Sequence, residues 1–146
     1  MWYTRFMRVC LLCNKERGRH TSKYCSNRCQ IDYQYQHYIS AWKKEARNGN
    51  RGINTKNISQ YLRRYLLKKY GEKCSLCSWS QKNIFVGRVP LEIDHIDGSA
   101  DNNIESNLRL LCPNCHSLTS NFRNLNRGRG RKWRNGHLGK YEREST

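Results

Sequence analysis

Asp94 and His95 stand side by side in the stretch Leu91-Glu92-Ile93-Asp94-His95-Ile96-Asp97-Gly98. A carboxylate next to an imidazole can hold a divalent cation and move a proton near neutral pH. Glu92, Asp94, Asp97, Asp101 and Glu105 are five of the chain's 11 acidic residues, and no Lys or Arg falls between Arg88 and Arg109. An acidic island in a chain of net charge +17 predicts a bound cation. Eight cysteines offer a second chemistry, arranged as Cys10/Cys13, Cys25/Cys29, Cys74/Cys77 and Cys112/Cys115. Pairs separated by two or three residues chelate a metal more readily than they close a disulfide. Two tetrads follow, Cys10/Cys13/Cys25/Cys29 and Cys74/Cys77/Cys112/Cys115, each suited to a closed structural zinc site. His20 is the alternative fourth ligand of the first.

The bulk composition says why metals are needed. With 146 residues and 36% apolar content there is room for one compact domain or two very small ones, and no large core. The first residues lack the apolar centre of a secretion signal, and no apolar run is long enough to span a bilayer. These features predict a cytoplasmic protein with no membrane partner, in a reducing compartment where thiolates stay available for metal. Twenty-eight Lys and Arg and a pI near 9.9 predict a polyanionic partner.

The elements that must position these groups can be read along the chain. Residues 1–46 form an N-terminal unit, in which a cysteine knuckle runs into a helix over about 26–46. Ser26 is its N-cap, and Ile31, Tyr35, Tyr38, Ile39, Trp42 and Ala46 recur on one face. This is a treble-clef-like arrangement. That stripe reads as a core face rather than a platform for stacking bases. His37 and His137 read as surface residues. Residues 47–56, polar with two glycines, read as a linker. A second unit over 57–124 opens with a helix whose apolar stripe is Ile58, Tyr61, Leu62, Tyr65 and Leu66, ending near Gly71. Arg63, Arg64, Lys68 and Lys69 lie largely off that stripe as candidate phosphate contacts.

Between Cys77 and Cys112, residues 89–96 alternate as a strand, 97–103 are rich in turn formers, and Leu108, Leu110 and Leu111 predict a return strand. Pro113 opens a helix over about 113–122. Cys115 and His116 diverge by about 100° on that helix, so one faces the zinc and the other the strand. Residues 125–146 form a flexible basic tail. Arg123, Arg127, Arg129, Arg131, Lys132 and Arg134 there and just before it are candidate salt-sensitive phosphate contacts.

Two CxxC knuckles bracketing Asp94-His95 and Asn107, with His116 directly after the second in Cys112-Pro113-Asn114-Cys115-His116 at the helix start, resemble the HNH endonuclease family over about residues 72–124. The upstream knuckle and helix look like those of phage and prophage members. The resemblance implies a ββα-metal nuclease core within a small zinc-stabilised α+β protein. It implies His95 as the general base for water, Asp94 and His116 as ligands of a catalytic Mg²⁺ or Mn²⁺, and Asn107 as a residue tying the ββ loop so that His95 is oriented. It also implies hydrolysis of DNA phosphodiester bonds, double-stranded DNA foremost, to 5′-phosphate and 3′-hydroxyl ends. The chain departs from bacteriocin nucleases at Ser120, where those place a further metal-binding histidine. Water is expected to complete the shell, with Asn121 the other option.

A monomer with one such site nicks; double-strand cutting would need a weak homodimer or a second event. Localisation is the host cytoplasm if the chain is phage-encoded. The competing function is a non-catalytic zinc-finger protein that binds DNA or RNA. A third, an RNA-processing nuclease, rests on the Arg-Gly tail alone.

Overall fold

The computed structural model describes residues 8–17, 23–52 and 57–126. The chain divides into two compact units, Met1–Arg47 and Asn48–Thr146. Among the described residues the result is a small α+β protein with one two-stranded sheet and two clusters of four cysteines.

The first unit is a knuckle followed by α1 (Asn27–Lys43). Ser26 caps the helix, its side chain accepting from the Cys29 amide at 3.2 Å. Tyr38, Ile39 and Trp42 are buried, while Ile31 is 52% exposed and Ala46 lies beyond the helix on the surface. The apolar stripe thus holds only over its C-terminal part. The helix stops three residues earlier than its periodicity predicts because Glu45 takes a left-handed φ of 59°.

In the second unit, α2 (Gln60–Tyr70) starts at Ser59, which accepts from the Tyr61 amide, and ends at Gly71, whose φ of 78° suits a residue without a Cβ. Its Leu62 and Leu66 are fully buried. Val89, Leu91, Leu108, Leu110 and Leu111 are also buried, and each such side chain contributes about 1.5–3 kcal/mol on leaving water. Residues 48–52, within the polar stretch 47–56, belong to this unit. Ser59 donates to the Gly49 carbonyl, Arg51 donates to the Asn57 carbonyl, and Gly49 is buried.

The strands β1 (Glu92–His95) and β2 (Leu108–Leu111) pair antiparallel, with Glu92 opposite Leu111, Ile93 opposite Leu110, Asp94 opposite Arg109 and His95 opposite Leu108. β1 is shorter than the alternating stretch 89–96 for two local reasons. Pro90 has no N–H for a ladder, and the Leu91 amide turns back to the Val89 carbonyl at 2.9 Å. At the other end the Gly98 amide donates to the His95 carbonyl, with Gly98 at φ 75°. β2 is held on its outer edge by the knuckle: Ser75 N–H donates to the Leu110 carbonyl at 2.8 Å, and Leu110 N–H donates to Ser75 Oγ at 3.3 Å.

The last helix, α3 (Pro113–Ser117), is half the length its pattern predicts. The Thr119 hydroxyl and amide both donate to the His116 carbonyl, at 2.9 and 3.1 Å, and so displace the next helical bond. Ser120 is therefore on a turn rather than on a helical face shared with His116.

Candidate active site and metal centres

Each cysteine tetrad brings its four sulfurs within 4.8 Å of one another. A tetrahedron with Zn–S bonds of 2.3 Å has edges of about 3.8 Å. The Sγ–Sγ separations are 3.5 Å for Cys13–Cys25, 3.5 Å for Cys25–Cys29, 3.8 Å for Cys13–Cys29 and 3.8 Å for Cys77–Cys112. Both sets fit zinc.

The two knuckles are built alike. Asn14 donates to the Cys10 carbonyl at 3.0 Å and Ser78 to the Cys74 carbonyl at 2.9 Å. The Cys10 and Cys74 amides reach forward to the carbonyls of Lys15 and Trp79. Asn14 and Ser78 take the same left-handed turn, at φ 58° and 60°. In each tetrad the second cysteine pair sits at a helix start: Cys29 in the first turn of α1, and Cys112 as N-cap of α3 with its sulfur accepting from the Cys115 amide.

The thiols are already biased toward holding a cation. Amide groups of the knuckle, that of Cys13 foremost, bring Cys10 down to about 6. Burial raises Cys74, but amides of Cys112, Cys77 and Leu76 outweigh it and leave that thiol also at about 6. Cys25 and Cys115 are pushed up to about 12 because each shares its proton with neighbouring sulfurs, Cys29 and Cys13 in one cluster and Cys77 and Cys112 in the other. A cation would take the place of those shared protons.

The second tetrad frames the strand pair. Cys112 directly follows β2, so α3 leaves the cluster with His116 turned to β1. His116 Nε2 lies 3.7 Å from Asp94 Oδ1. Asp94 is 5% exposed, and its other oxygen, Oδ2, accepts from Arg109 Nε at 2.7 Å across the sheet. His116 Nδ1 is 2.5 Å from Glu92 Oε2, and the Phe122 ring meets the imidazole edge-on at 5.3 Å between centroids. Two donor atoms, one oxygen and one nitrogen, therefore face each other from a strand and a helix. That mixed pair suits a hard or borderline divalent ion with open positions.

Strand alternation sends His95 to other neighbours than Asp94. Its Nε2 is 2.9 Å from Asn103 Oδ1. Asn103 is buried, and its amide nitrogen donates to the Asn48 carbonyl at 2.9 Å and to Asn50 Oδ1 at 3.0 Å. The amide orientation is thereby set, and an oxygen that can only accept makes His95 Nε2 the protonated nitrogen. Asn107 ties the loop between the strands. Its Oδ1 accepts from the Asp97 amide at 2.9 Å, and its Nδ2 donates to the Asn102 carbonyl and to Asp97 Oδ1, both at 2.8 Å. Burial raises the Asp97 carboxyl, but donors from Asn102, Ser99 and Asn107 outweigh it, so the group sits below its ordinary value. Asn121, considered as a ligand, donates its Nδ2 to the Ile96 carbonyl at 3.1 Å.

The candidate phosphate contacts separate. Arg63 donates to the Leu91 carbonyl at 2.6 Å and Lys69 pairs with Glu105, so both tie α2 to the sheet region. Arg63, Arg64, Lys68 and Arg88 line a cleft of about 330 Å³ with Gln60, Leu67 and Glu72. Arg88 is an addition that sequence spacing did not single out. Arg123 is exposed, its guanidinium 5.0 Å from the Phe122 ring centre. Arg127, Arg129, Arg131, Lys132, Arg134, His20 and His137 lie outside the described residues. Glu92, Arg109 and Asn103 were missed as site residues. Arg109 and Asn103 depend on strand register and on a packed loop, whereas Glu92 stands two positions before Asp94 and so shares its strand face.

Comparison with known proteins converges on this region. Residues 74–122 match the family described as HNH endonuclease. The chain is 50% identical over 58 residues to the H-N-H endonuclease F-TflIV of Escherichia phage T5, an alignment covering 40% of this chain and 23% of that relative. The chain thus spans under a quarter of the curated relative it matches. No solved structure matches. The matched span 74–122 contains both strands, the second cysteine tetrad, Asp94, His95, Asn107 and His116, so the similarity to HNH endonucleases falls on the candidate site itself.

Proposed function

We propose that this protein is a divalent-metal-dependent endonuclease that hydrolyses phosphodiester bonds of double-stranded DNA, leaving 5′-phosphate and 3′-hydroxyl ends. The observation that carries the reading is the facing pair Asp94 Oδ1 and His116 Nε2, with His95 on the adjacent residue of the same strand.

Asp94 and His116 would hold Mg²⁺ or Mn²⁺, which when bound supplies Lewis-acid stabilisation of charge on the phosphate and the leaving 3′-oxygen. Arg109 fixes one oxygen of Asp94 and leaves the other for the ion. His95 takes a proton from the attacking water. Its Nε2 is occupied by Asn103, which leaves Nδ1 as the accepting atom. Asn107 keeps the loop closed behind that ring. Two structural zinc ions, one per cysteine tetrad, hold a treble-clef-like N-terminal module and the ββα arrangement of the site in shape.

The net charge of +17 supports DNA as the partner, approached through Arg64, Lys68 and Arg88 with the basic C-terminal segment beyond. A monomer with one site nicks. The named phage relative supports action within a host cytoplasm.

Relaxation of supercoiled plasmid tests the reading. The zinc-loaded protein is expected to nick with Mg²⁺ or Mn²⁺, and His95→Ala protein is expected to bind DNA without cutting. Equal relaxation by both would remove His95 from the chemistry. Salt-sensitive binding by both with no cutting by either would make the protein a binding module.

A further inference from the structure

We propose that Glu92 is a positioning residue that sets the tautomer and the direction of His116 for ion binding; the proposal rests on the reading of Asp94 and His116 as the ion site.

Glu92 and Asp94 project from the same face of β1, and both meet the His116 ring, at its two different nitrogens. Glu92 Oε2 is 2.5 Å from Nδ1. An ionised carboxylate can only accept, so Nδ1 carries the proton, and in the neutral ring Nε2 is left with its lone pair. Nε2 is the atom that faces Asp94 Oδ1 at 3.7 Å. Neighbouring donors around an octahedral ion with 2.1 Å bonds are about 3.0 Å apart, so the two atoms need close by only about 0.7 Å. An unrestrained histidine prefers its proton on Nε2. Here that tautomer would aim an N–H, not a lone pair, into the site.

Phe122 at the edge of the ring blocks rotation away from this arrangement. A carboxylate that fixes the second nitrogen of a metal-binding histidine raises its basicity and holds its orientation. Glu92 is 54% exposed, so its hydrogen bond to the ring contributes little to the stability of the fold. Substituting it therefore leaves the protein folded and isolates its effect on the ion.

The test is titration of the full-length, zinc-loaded protein with Mn²⁺, following free Mn²⁺ by electron paramagnetic resonance. Zinc content and circular dichroism serve as the check on folding. Glu92→Ala is expected to weaken Mn²⁺ binding by about 10- to 100-fold. Glu92→Gln keeps an oxygen that accepts from Nδ1–H and is expected to stay within about threefold of the parent, the size of an exposed charge effect. Unchanged binding by Glu92→Ala overturns the proposal and makes the contact a surface pair. A loss in Glu92→Gln as large as in Glu92→Ala also overturns it, because the carboxylate would then be a direct ligand. If the parent protein binds no Mn²⁺, the ion site itself is wrong and the inference falls with it, an outcome distinct from the other two.

Discussion

Arg109 and Asp94 stand directly opposite each other on the two strands, and the arginine Nε reaches Asp94 Oδ2 at 2.7 Å while Oδ1 is left facing His116. The pair holds a buried carboxylate in an environment that would otherwise penalise its charge. Arg109→Met removes the partner and leaves that charge uncompensated. The expected cost is roughly 1–3 kcal/mol, below the figure for a fully buried pair because Arg109 is 26% exposed. Urea unfolding of zinc-loaded protein reads it. Adding Mn²⁺ should recover part of the loss, since a bound cation would replace the missing positive charge. A loss insensitive to Mn²⁺ would separate Asp94 from the ion.

Gly49 supports His95 from a distance in the chain. It sits at φ 80°, and a Cβ there would come within 2.8 Å of the Asn103 Cβ. Gly49→Ala must strain the backbone or displace Asn103, at a cost of about 1–3 kcal/mol. Asn103→Ala removes the His95 contact without that clash. Both variants are expected to lose plasmid nicking by at least about tenfold, a part of the roughly 10²- to 10⁴-fold that a positioned general base contributes. Both should retain the zinc content of the parent. Full activity in Asn103→Ala would show that His95 needs no fixed partner.

The cysteine tetrads are separable. Cys25→Ser should lower bound zinc from two ions per chain to one and leave nicking chemistry assignable to the second tetrad. Cys112→Ser should remove the other ion and with it the order of β2 and α3, because Cys112 joins them. Elemental analysis and plasmid nicking on the same preparations decide it. A parent protein with a single zinc would exclude one of the tetrads as a metal site.

The carboxyl of Asp97 sits below its ordinary value in the folded protein. A group whose native value lies below its unfolded one stabilises the fold above the ordinary carboxylate range. That contribution disappears as pH falls through the native value. Asp97→Asn should therefore be less stable than the parent near neutrality and converge with it in acid. Urea midpoints at successive pH values check this; a gap that persists in acid would mean the amide disrupts the loop by shape rather than by charge.

What was legible in the sequence was local. The cysteine pairs, the Ser26 cap, the end of α2 at Gly71 and the return strand at Leu108 are written in spacings of a few residues. The pairing of Asp94 with His116 was legible through the family resemblance, helped by the position of His116 directly after Cys115 of the tetrad whose two pairs flank β1. Arg109 became a partner of Asp94 through strand register, which no composition rule supplies. Asn103 reaches His95 by way of Asn48 and Asn50, more than 50 positions earlier in the chain. Glu92 is one acid of several between residues 92 and 105 in the sequence, and only the position of the His116 ring distinguishes it. The early end of α3 reflects competition by the Thr119 hydroxyl for the His116 carbonyl, which apolar periodicity does not detect.

The seam between Ser75 and Leu110 has a bearing on how this protein keeps company with itself. A two-stranded sheet has two outer edges, and an open edge is a template on which another chain can add. Here β2 gives its outer Leu110 groups to Ser75. On the other side, Arg63 takes the Leu91 carbonyl just before β1, and Gly98 takes the carbonyl of His95. These groups are closed to a strand that would add at either edge. Two copies of this chain brought together would meet those groups already bonded within each molecule.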